Sequence, residues 1–333
     1  MSDHNEAEVQ LYNHTDRLLS GHRTLLTDRN RNRSFYRALS DSITNESVVL
    51  DIGSGTGIWA VAAAMLGARR VVAIEYEPLL IGVIKAVAAE NGVADKVEVV
   101  LGDSREVQLG KEFDVVISET IGHMVFDESI VPIMVDARER FLKPGGVLIP
   151  QTVALVAAAA HLESAVEKLP AGIPMTASVF GSVVANIPTA LRDRSSLKIL
   201  TAPKILMSVD LRTVNETPDL NDLTARWQLT DTTEINCFAV WAEAALTGDV
   251  SITTSQSTSW LPMIYRIKPF ERKRGEVQFS LTLTTKSNYW TVSLGDGEHH
   301  EEQSYSPALA AAELLRRSSM FPGVYEHLRA GAS

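Results

Sequence analysis

The chain has 333 residues, 45% of them hydrophobic and 22% charged, enough to bury the core of one large domain or two ordinary ones. A formal net charge of −10 argues against nonspecific phosphate binding, so no nucleic-acid partner is expected, and mildly favours cationic partners. Cys237 stands alone, which excludes an intrachain disulfide and a cysteine metal cluster. No apolar run, IWAVAAAML from Ile58 and VALVAAAA from Val153 included, is long enough to span a bilayer, and the polar start MSDHNEAEVQ is unlike a targeting peptide. A cytoplasmic location, no membrane contact and no bound metal are the expectations.

In chain order, residues 5–40 carry Leu18, Leu19, Leu25, Leu26, Phe35, Tyr36 and Leu39 at roughly helical spacing, which predicts helix. SVVLDIG reads as a short buried strand running into a glycine turn. IWAVAAAMLGA is an apolar helix stopping at Gly67. RVVAIEY is a second strand, and LLIGVIKAVAAENG a helix closed by Asn91 and Gly92. KVEVVLGD, FDVVISE and GGVLIP supply three more strands. This alternation predicts an α/β, Rossmann-like, mostly parallel doubly wound sheet over residues 1–150, N-terminal helices included.

After Pro150 strands dominate: KILMSVDL, INCFAVWAEAAL, WLPMIYRI and EVQFSLTLTTKSNYWTVSLG. In the last, Val277, Phe279, Leu281 and Leu283, then Trp290, Val292 and Leu294, alternate with polar residues, as in a hairpin with one buried face. A β-barrel-like domain is therefore expected over residues 151–305, with a short, partly helical insertion near 182–200. A final helix is expected over 306–333, capped by Ser306 with Pro307 in its first turn.

The turn in VVLDIGSGTGIW has the pattern D-x-G-x-G-x-G, with Asp51, Gly53, Gly55 and Gly57. A dinucleotide fingerprint spaces its glycines G-x-G-x-x-G. Here the spacing is tighter, and the acid that precedes the loop would repel phosphate and suit a cationic ligand. This resembles the class I S-adenosylmethionine (SAM) methyltransferases, with a nicotinamide cofactor as the weaker alternative. Glu75, ending the second strand, can accept from both ribose hydroxyls. Asp103 or Ser104, ending the third, would lie beside the adenine.

The fourth strand ends at the next crevice position, in SETIGHMVFDES. A loop leaving on Glu119 and returning on Glu128 can aim two carboxylates into one pocket, and a planar guanidinium is the natural ligand for such a pair. His123 lies within this loop and is a substrate-side candidate. Asp127 reads as a solvated charge.

Here the chain resembles the protein arginine methyltransferase family. That family's double-E loop, S-E-x-x-G-x-x-x-x-x-E-S, is matched at Ser118, Glu119, Gly122, Glu128 and Ser129 with no change of length. HRTLLTDRNR resembles the family's H-x-x-M-L-x-D-x-x-R segment at His22, Leu26, Asp28 and Arg31. The resemblance makes Arg31 the partner of the SAM carboxylate, with His22 nearby. It also implies a homodimer through an arm after Gly181.

Two departures from the family stand out. STSWLPMIY keeps Thr258 and Trp260 of a T-H-W loop on the substrate side, but Ser259 replaces the histidine. The N-terminal Y-F-x-x-Y lid helix is replaced by Asn13, His14 and Arg17 at its three positions. SAM and guanidinium determinants that are intact beneath an altered lid point to a SAM-dependent arginine guanidino N-methyltransferase acting on free L-arginine or a small arginine-like metabolite. The rivals are a protein arginine methyltransferase, a SAM-binding scaffold without catalysis, and a methyltransferase for another amine or hydroxyl.

Overall fold

The computed structural model describes residues 3–163, 186–271, 273–284, 288–296, 298–309 and 311. The chain forms two compact units. The first is Met1–Val153 with Val209–Thr217 and Glu243–Trp260; the second takes the rest. The division is thus not a single cut near residue 150, because two later segments return to the first unit. One of them carries the strand that packs on the second helix.

The first unit opens with helix α1 (Asp3–Thr27) and helix α2 (Arg29–Ser42). The spacing predicts helix across this stretch without placing a boundary in it. The break comes at Asp28, whose extended backbone and side chain cap α2 by accepting from Arg31 N. There follow β1 (Val48–Ile52), α3 (Ile58–Met65), β2 (Arg70–Glu75), α4 (Pro78–Glu90), β3 (Val97–Leu101), β4 (Phe113–Ser118), α5 (Ile130–Arg140) and β5 (Leu142–Ile149).

The sheet order is β3-β2-β1-β4-β5, and its four strand pairings are all parallel. All five β1 residues are buried, as a strand covered on both faces requires. The chain winds outward from β1 to β3, then crosses back to β4 beside β1. The carboxyl ends of β1 and β4 flank that reversal, where open α/β sheets hold their ligands. The glycine turn follows β1 and Glu119 follows β4. Phe35 of α2 stacks on Trp59 of α3 at 5.2 Å between ring centroids, which fixes the N-terminal helices on this unit.

The remaining strands are β6 (Thr152–Leu162), β7 (Thr189–Ala190), β8 (Leu197–Ile199), β9 (Lys204–Asp210), β10 (Leu223–Leu229), β11 (Cys237–Thr247), β12 (Val250–Thr253), β13 (Met263–Arg266), β14 (Gly275–Leu283), β15 (Asn288–Gly295) and β16 (His300–Tyr305). The antiparallel character holds, but among the described residues the strands form two sheets and no closed barrel. One runs β10-β14-β15-β16; the other runs β7-β13-β11-β6-β8, with β12 on β11 and β9 on β6. The expected hairpin is present as β14 and β15. Val277, Phe279, Leu281, Trp290, Val292 and Leu294 form its buried face, and Phe279 stacks on Phe238 at 4.6 Å.

The expected helical insertion is absent where it can be seen. Residues 186–200 form β7, a single 3-10 turn and β8, while 182–185 lie outside the described residues. Pro188, Asp193, Ser195 and Ser196 favour turns over a long helix, and Asp193 accepts from Ser195 N at 2.9 Å. The final helix begins as expected, with Ser306 Oγ accepting from Leu309 N at 3.2 Å. Beyond residue 311 it lies outside the described residues. Among the described residues, no helix is long and apolar enough to cross a membrane.

Candidate active site

The glycine turn closes on itself. Gly53, Gly55 and Gly57 all lie in the left-handed region, with φ of 66°, 59° and 80°. Gly55 is doubly constrained, since a Cβ there would stand 2.7 Å from Cε1 of His22. Glu75 holds the turn from below: its Oε2 accepts from Gly55 N at 2.7 Å and its Oε1 from Glu77 N at 2.9 Å. Asp51 is buried beneath the turn, where its Oδ2 accepts from Ser54 Oγ at 2.6 Å and from Ala60 N at 3.0 Å. Burial pushes its carboxyl up to about 7 in spite of those two bonds. Asp51 therefore braces the turn and lines neither recess described below.

Two recesses open along the sheet's carboxyl edge, both within the first unit. One, of about 220 Å³, is lined by His22, Arg31, Gly53, Gly55, Glu75, Glu119 and Glu128 among others. The second, of about 500 Å³, brings in Asp103 and Ser104. They share Gly53, Tyr76, Thr120 and Glu128, so together they make one crevice from Arg31 to the end of β3. Burial draws the His22 imidazole below its ordinary range. The nearby Arg31 charge adds to this, and Glu75 and Glu119 oppose it. Asp103 is held by the Arg105 guanidinium, which brings its carboxyl down to about 2; Ser104 is buried.

The acidic loop has a different build. Gly122 and Val125 form a backbone bridge, and a Cβ on Gly122 would fall 1.9 Å from Oδ1 of Asp127. Val125 (φ 67°) and Ser129 (φ 65°) both take the left-handed conformation without being glycine. For a β-branched residue that conformation stores of order 1–3 kcal/mol, and Val125 is held in it by complete burial.

The Glu119 side chain is 7% exposed and engaged on both oxygens. Its Oε2 is ion-paired with Arg31 Nη2, and its Oε1 accepts from the Trp260 indole Nε1 at 3.0 Å. Arg31 in turn donates from Nη1 to Asn32 Oδ1 at 2.7 Å and lies over the Phe35 and Trp59 rings at 5.7 and 5.6 Å. Its Nε is buried and has no hydrogen-bond partner among the described residues. Glu128 stands at the crevice mouth. Solvent still reaches its side chain, yet desolvation of the carboxyl, then the charges of Glu119 and Asp127, push it up to about 7, with Arg31 opposing. Asp127 is exposed, as expected of a solvated charge.

Most of the residues singled out from the sequence thus meet in one crevice. Gly57, His123, Ser259 and Trp260 line neither recess; Gly57 sits under Ile84 of α4 instead. Ser259 is buried and donates from Oγ to Asp28 Oδ2 at 2.7 Å. Two residues that sequence reasoning did not place in the site are Asp28 and Ser257, which hold the Trp260 loop. The available signal was an acid at a helix-capping position three residues before Arg31.

A parallel sheet with this order, a glycine turn after β1, an acid ending β2 and paired acids after β4 define a class I methyltransferase fold. The comparisons narrow this. The family model of ribosomal protein L11 methyltransferase (PrmA) matches residues 35–154. A probable protein arginine N-methyltransferase 6 of Arabidopsis thaliana is 30% identical over 241 residues, covering 69% of this chain and 55% of the relative. An arginine N(omega)-methyltransferase of Streptomyces achromogenes subsp. streptozoticus is 28% identical over 271 residues, covering 77% of this chain and 73% of that one.

Among solved structures, a Trypanosoma brucei PRMT1 enzyme–prozyme complex aligns with a TM-score of 0.71 at 21% identity, covering 86% of this chain and 97% of that one. Arabidopsis thaliana protein arginine methyltransferase 10 aligns with a TM-score of 0.70 at 19% identity, with the same coverage. The chain therefore has the class I methyltransferase fold, and in sequence it is similar to proteins named as arginine methyltransferases. It spans 55% to 64% of the length of the first plant relatives it matches.

Proposed function

We propose that this chain is a SAM-dependent N-methyltransferase of the arginine guanidino group, acting on free L-arginine or a small arginine-like metabolite. One observation carries the reading. A buried carboxylate, Glu119, is fixed on both oxygens beside the glycine turn, and a second carboxyl, Glu128, faces the same recess.

The residues present fit the cofactor. Arg31 keeps a buried Nε without a partner, which suits the cofactor's carboxylate. The Gly55 approach leaves no room for a side chain and so keeps the backbone bare where the ligand would pass. Glu75 faces the crevice with lone-pair capacity left for ribose hydroxyls, and Asp103 or Ser104 would border the adenine. Asp51, Gly53, Gly57 and His22 would shape the amino-acid end, Asp51 from beneath the turn. Bound SAM supplies an electrophilic methyl group on a sulfonium.

The rest is the work of this chain's own side chains. A free guanidinium is a poor nucleophile, its charge being delocalised and its pKa above about 12. Glu119 and Glu128 would fix its plane by paired N–H···O bonds and draw positive charge toward the nitrogens that are not attacking. Each unit-charge pair at about 4 Å and an effective dielectric near 20 is worth roughly 4 kcal/mol, which offsets the repulsion between the two cations. Glu128, poised near neutrality, would accept the proton lost from the methylated nitrogen. Trp260, Ser259 and His123 are assigned to the substrate side.

The small-substrate reading draws support from the Streptomyces relative and from the altered lid. In α1, His14 replaces the family's aromatic residue, and its Nε2 lies 2.8 Å from Glu77 Oε2. The plant relatives' names favour the second reading, transfer to arginine side chains of a basic partner protein. Incubating the protein and SAM with free L-arginine or with an arginine-rich peptide, and weighing the products, separates the two. Methylarginine from the free amino acid is the expected result. Transfer to peptide alone overturns the small-substrate reading, and tight SAM binding without any transfer leaves only the scaffold. Assembly as a homodimer belongs to the same proposal, and sedimentation velocity tests it.

A further inference from the structure

The hydrogen bonds around Glu119 form a ring that passes through residues outside the crevice. Asp28 is completely buried. Its Oδ1 accepts from Arg31 N at 3.0 Å and so sets the first turn of α2. Its Oδ2 takes four donors from one short loop: Ser257 Oγ at 2.5 Å, Thr258 N at 2.8 Å, Ser259 N at 2.9 Å and Ser259 Oγ at 2.7 Å. Ser257 Oγ also accepts from Trp260 N at 2.8 Å. The loop then presents the Trp260 indole to one oxygen of Glu119, while α2 presents Arg31 to the other. Both arms that grip Glu119 therefore start from a single carboxylate.

Burial works against the ionised form of Asp28. The bonds from Ser257, Ser259 and the backbone outweigh it and keep the carboxyl below its ordinary range. The clasp thus stays charged near neutral pH, with no titratable group in the loop. Serine is small enough for its hydroxyl and its own N–H to reach the same oxygen, and Ser259 is 8% exposed. Two rigid arms on a substrate-facing carboxylate pre-set the plane in which a guanidinium is received, and small misplacement there is expensive in rate.

We propose that Asp28, with Ser257 and Ser259, is a positioning unit: it acts through Trp260 to fix the carboxylate plane of Glu119 and so sets the rate of the methyl transfer proposed above, on which it rests. The deciding experiment is a double-mutant cycle between Trp260→Phe and the pair Ser257→Ala/Ser259→Ala. The serine pair alone is expected to lower kcat about tenfold or more, with S-adenosylhomocysteine affinity within about threefold of wild type. In the Trp260→Phe background the pair should change kcat by less than about twofold, because its route to Glu119 is already cut.

The indole resonance lost in Trp260→Phe identifies Trp260 in a nitrogen–proton correlation spectrum. It should shift both in the serine variant and in Glu119→Gln. Ser257→Thr, which keeps the hydroxyl, should recover most of the rate lost in Ser257→Ala. Additive effects in the cycle, or an unmoved indole resonance in the serine variant, would overturn the proposal. A rate loss that tracks only a lowered melting temperature would overturn it too. The resonance and binding arms need no turnover, so an inactive wild type would count against the proposed reaction alone.

Discussion

The glycine turn and the acidic loop face the same crevice and are built by opposite means. The turn reaches its left-handed geometry through three glycines, with no steric penalty, and Glu75 secures it through backbone N–H groups. The loop reaches similar dihedrals at Val125 and Ser129 against the preference of both residues, and burial of Val125 holds it there. One region is shaped so that a ligand can lie against bare backbone. The other is braced so that charged side chains keep a fixed aim. Binding and turnover should therefore fail separately when each is disturbed.

The largest expected effect tests that separation. Glu119→Gln or Glu128→Gln should lower turnover by about a thousandfold, while S-adenosylhomocysteine affinity by calorimetry stays within about tenfold of wild type. Retained activity in both variants would sink the paired-carboxylate mechanism. Next, Gly55→Ala meets both a φ of 59° and a contact of 2.7 Å to His22. It should lower stability by about 1–3 kcal/mol in urea unfolding and weaken cofactor binding more than it lowers kcat.

A pH series sharpens the contrast further. Glu128 in the folded chain titrates near 7, above its ordinary value of 4.5, so the folded state holds a proton that the unfolded chain releases. Its contribution to stability is therefore lost as pH rises from about 4.5 to about 7, and buried Asp51 adds the same trend. Urea midpoints at about pH 5 and about pH 8 should differ less in Glu128→Gln than in wild type. Turnover should climb through about pH 7 as Glu128 becomes able to accept a proton.

The smallest effect is the reverse of the glycine experiment. Ser129 caps α5 with φ 65° and makes no side-chain capping bond. Ser129→Gly should raise stability by a few tenths to about 1 kcal/mol, read from the melting temperature. A loss there would show that the loop's dihedrals are not the source of its strain.

The parallel sheet was legible because its strands are short apolar runs separated by helices with clear ends, such as Asn91–Gly92. Strand β10 was not singled out, although Leu223, Ala225 and Trp227 alternate as buried residues; two turn-rich stretches on either side mask so short a period. The break at Asp28 was missed for another reason. Helical spacing of apolar residues continues across it and outweighs the one local signal, an acid able to cap α2 through Arg31 N. In the site, Glu119, Glu128, Glu75 and the glycines could be proposed because they lie at the carboxyl ends of strands or in the loops that follow them, where the sheet's topology gathers them. Asp28 and Ser257 could not, since they are 229 positions apart and meet through hydrogen bonds alone.

By itself the sequence determined the sheet's class, the glycine turn and the identities of the carboxyl groups at the strand ends, because these follow from local periodicity and from residue chemistry. Only the tertiary structure decided which oxygen of Glu119 meets Arg31 and which meets Trp260, and that a single buried aspartate holds both arms. Those contacts depend on distances between segments far apart in the chain, and no local pattern encodes them.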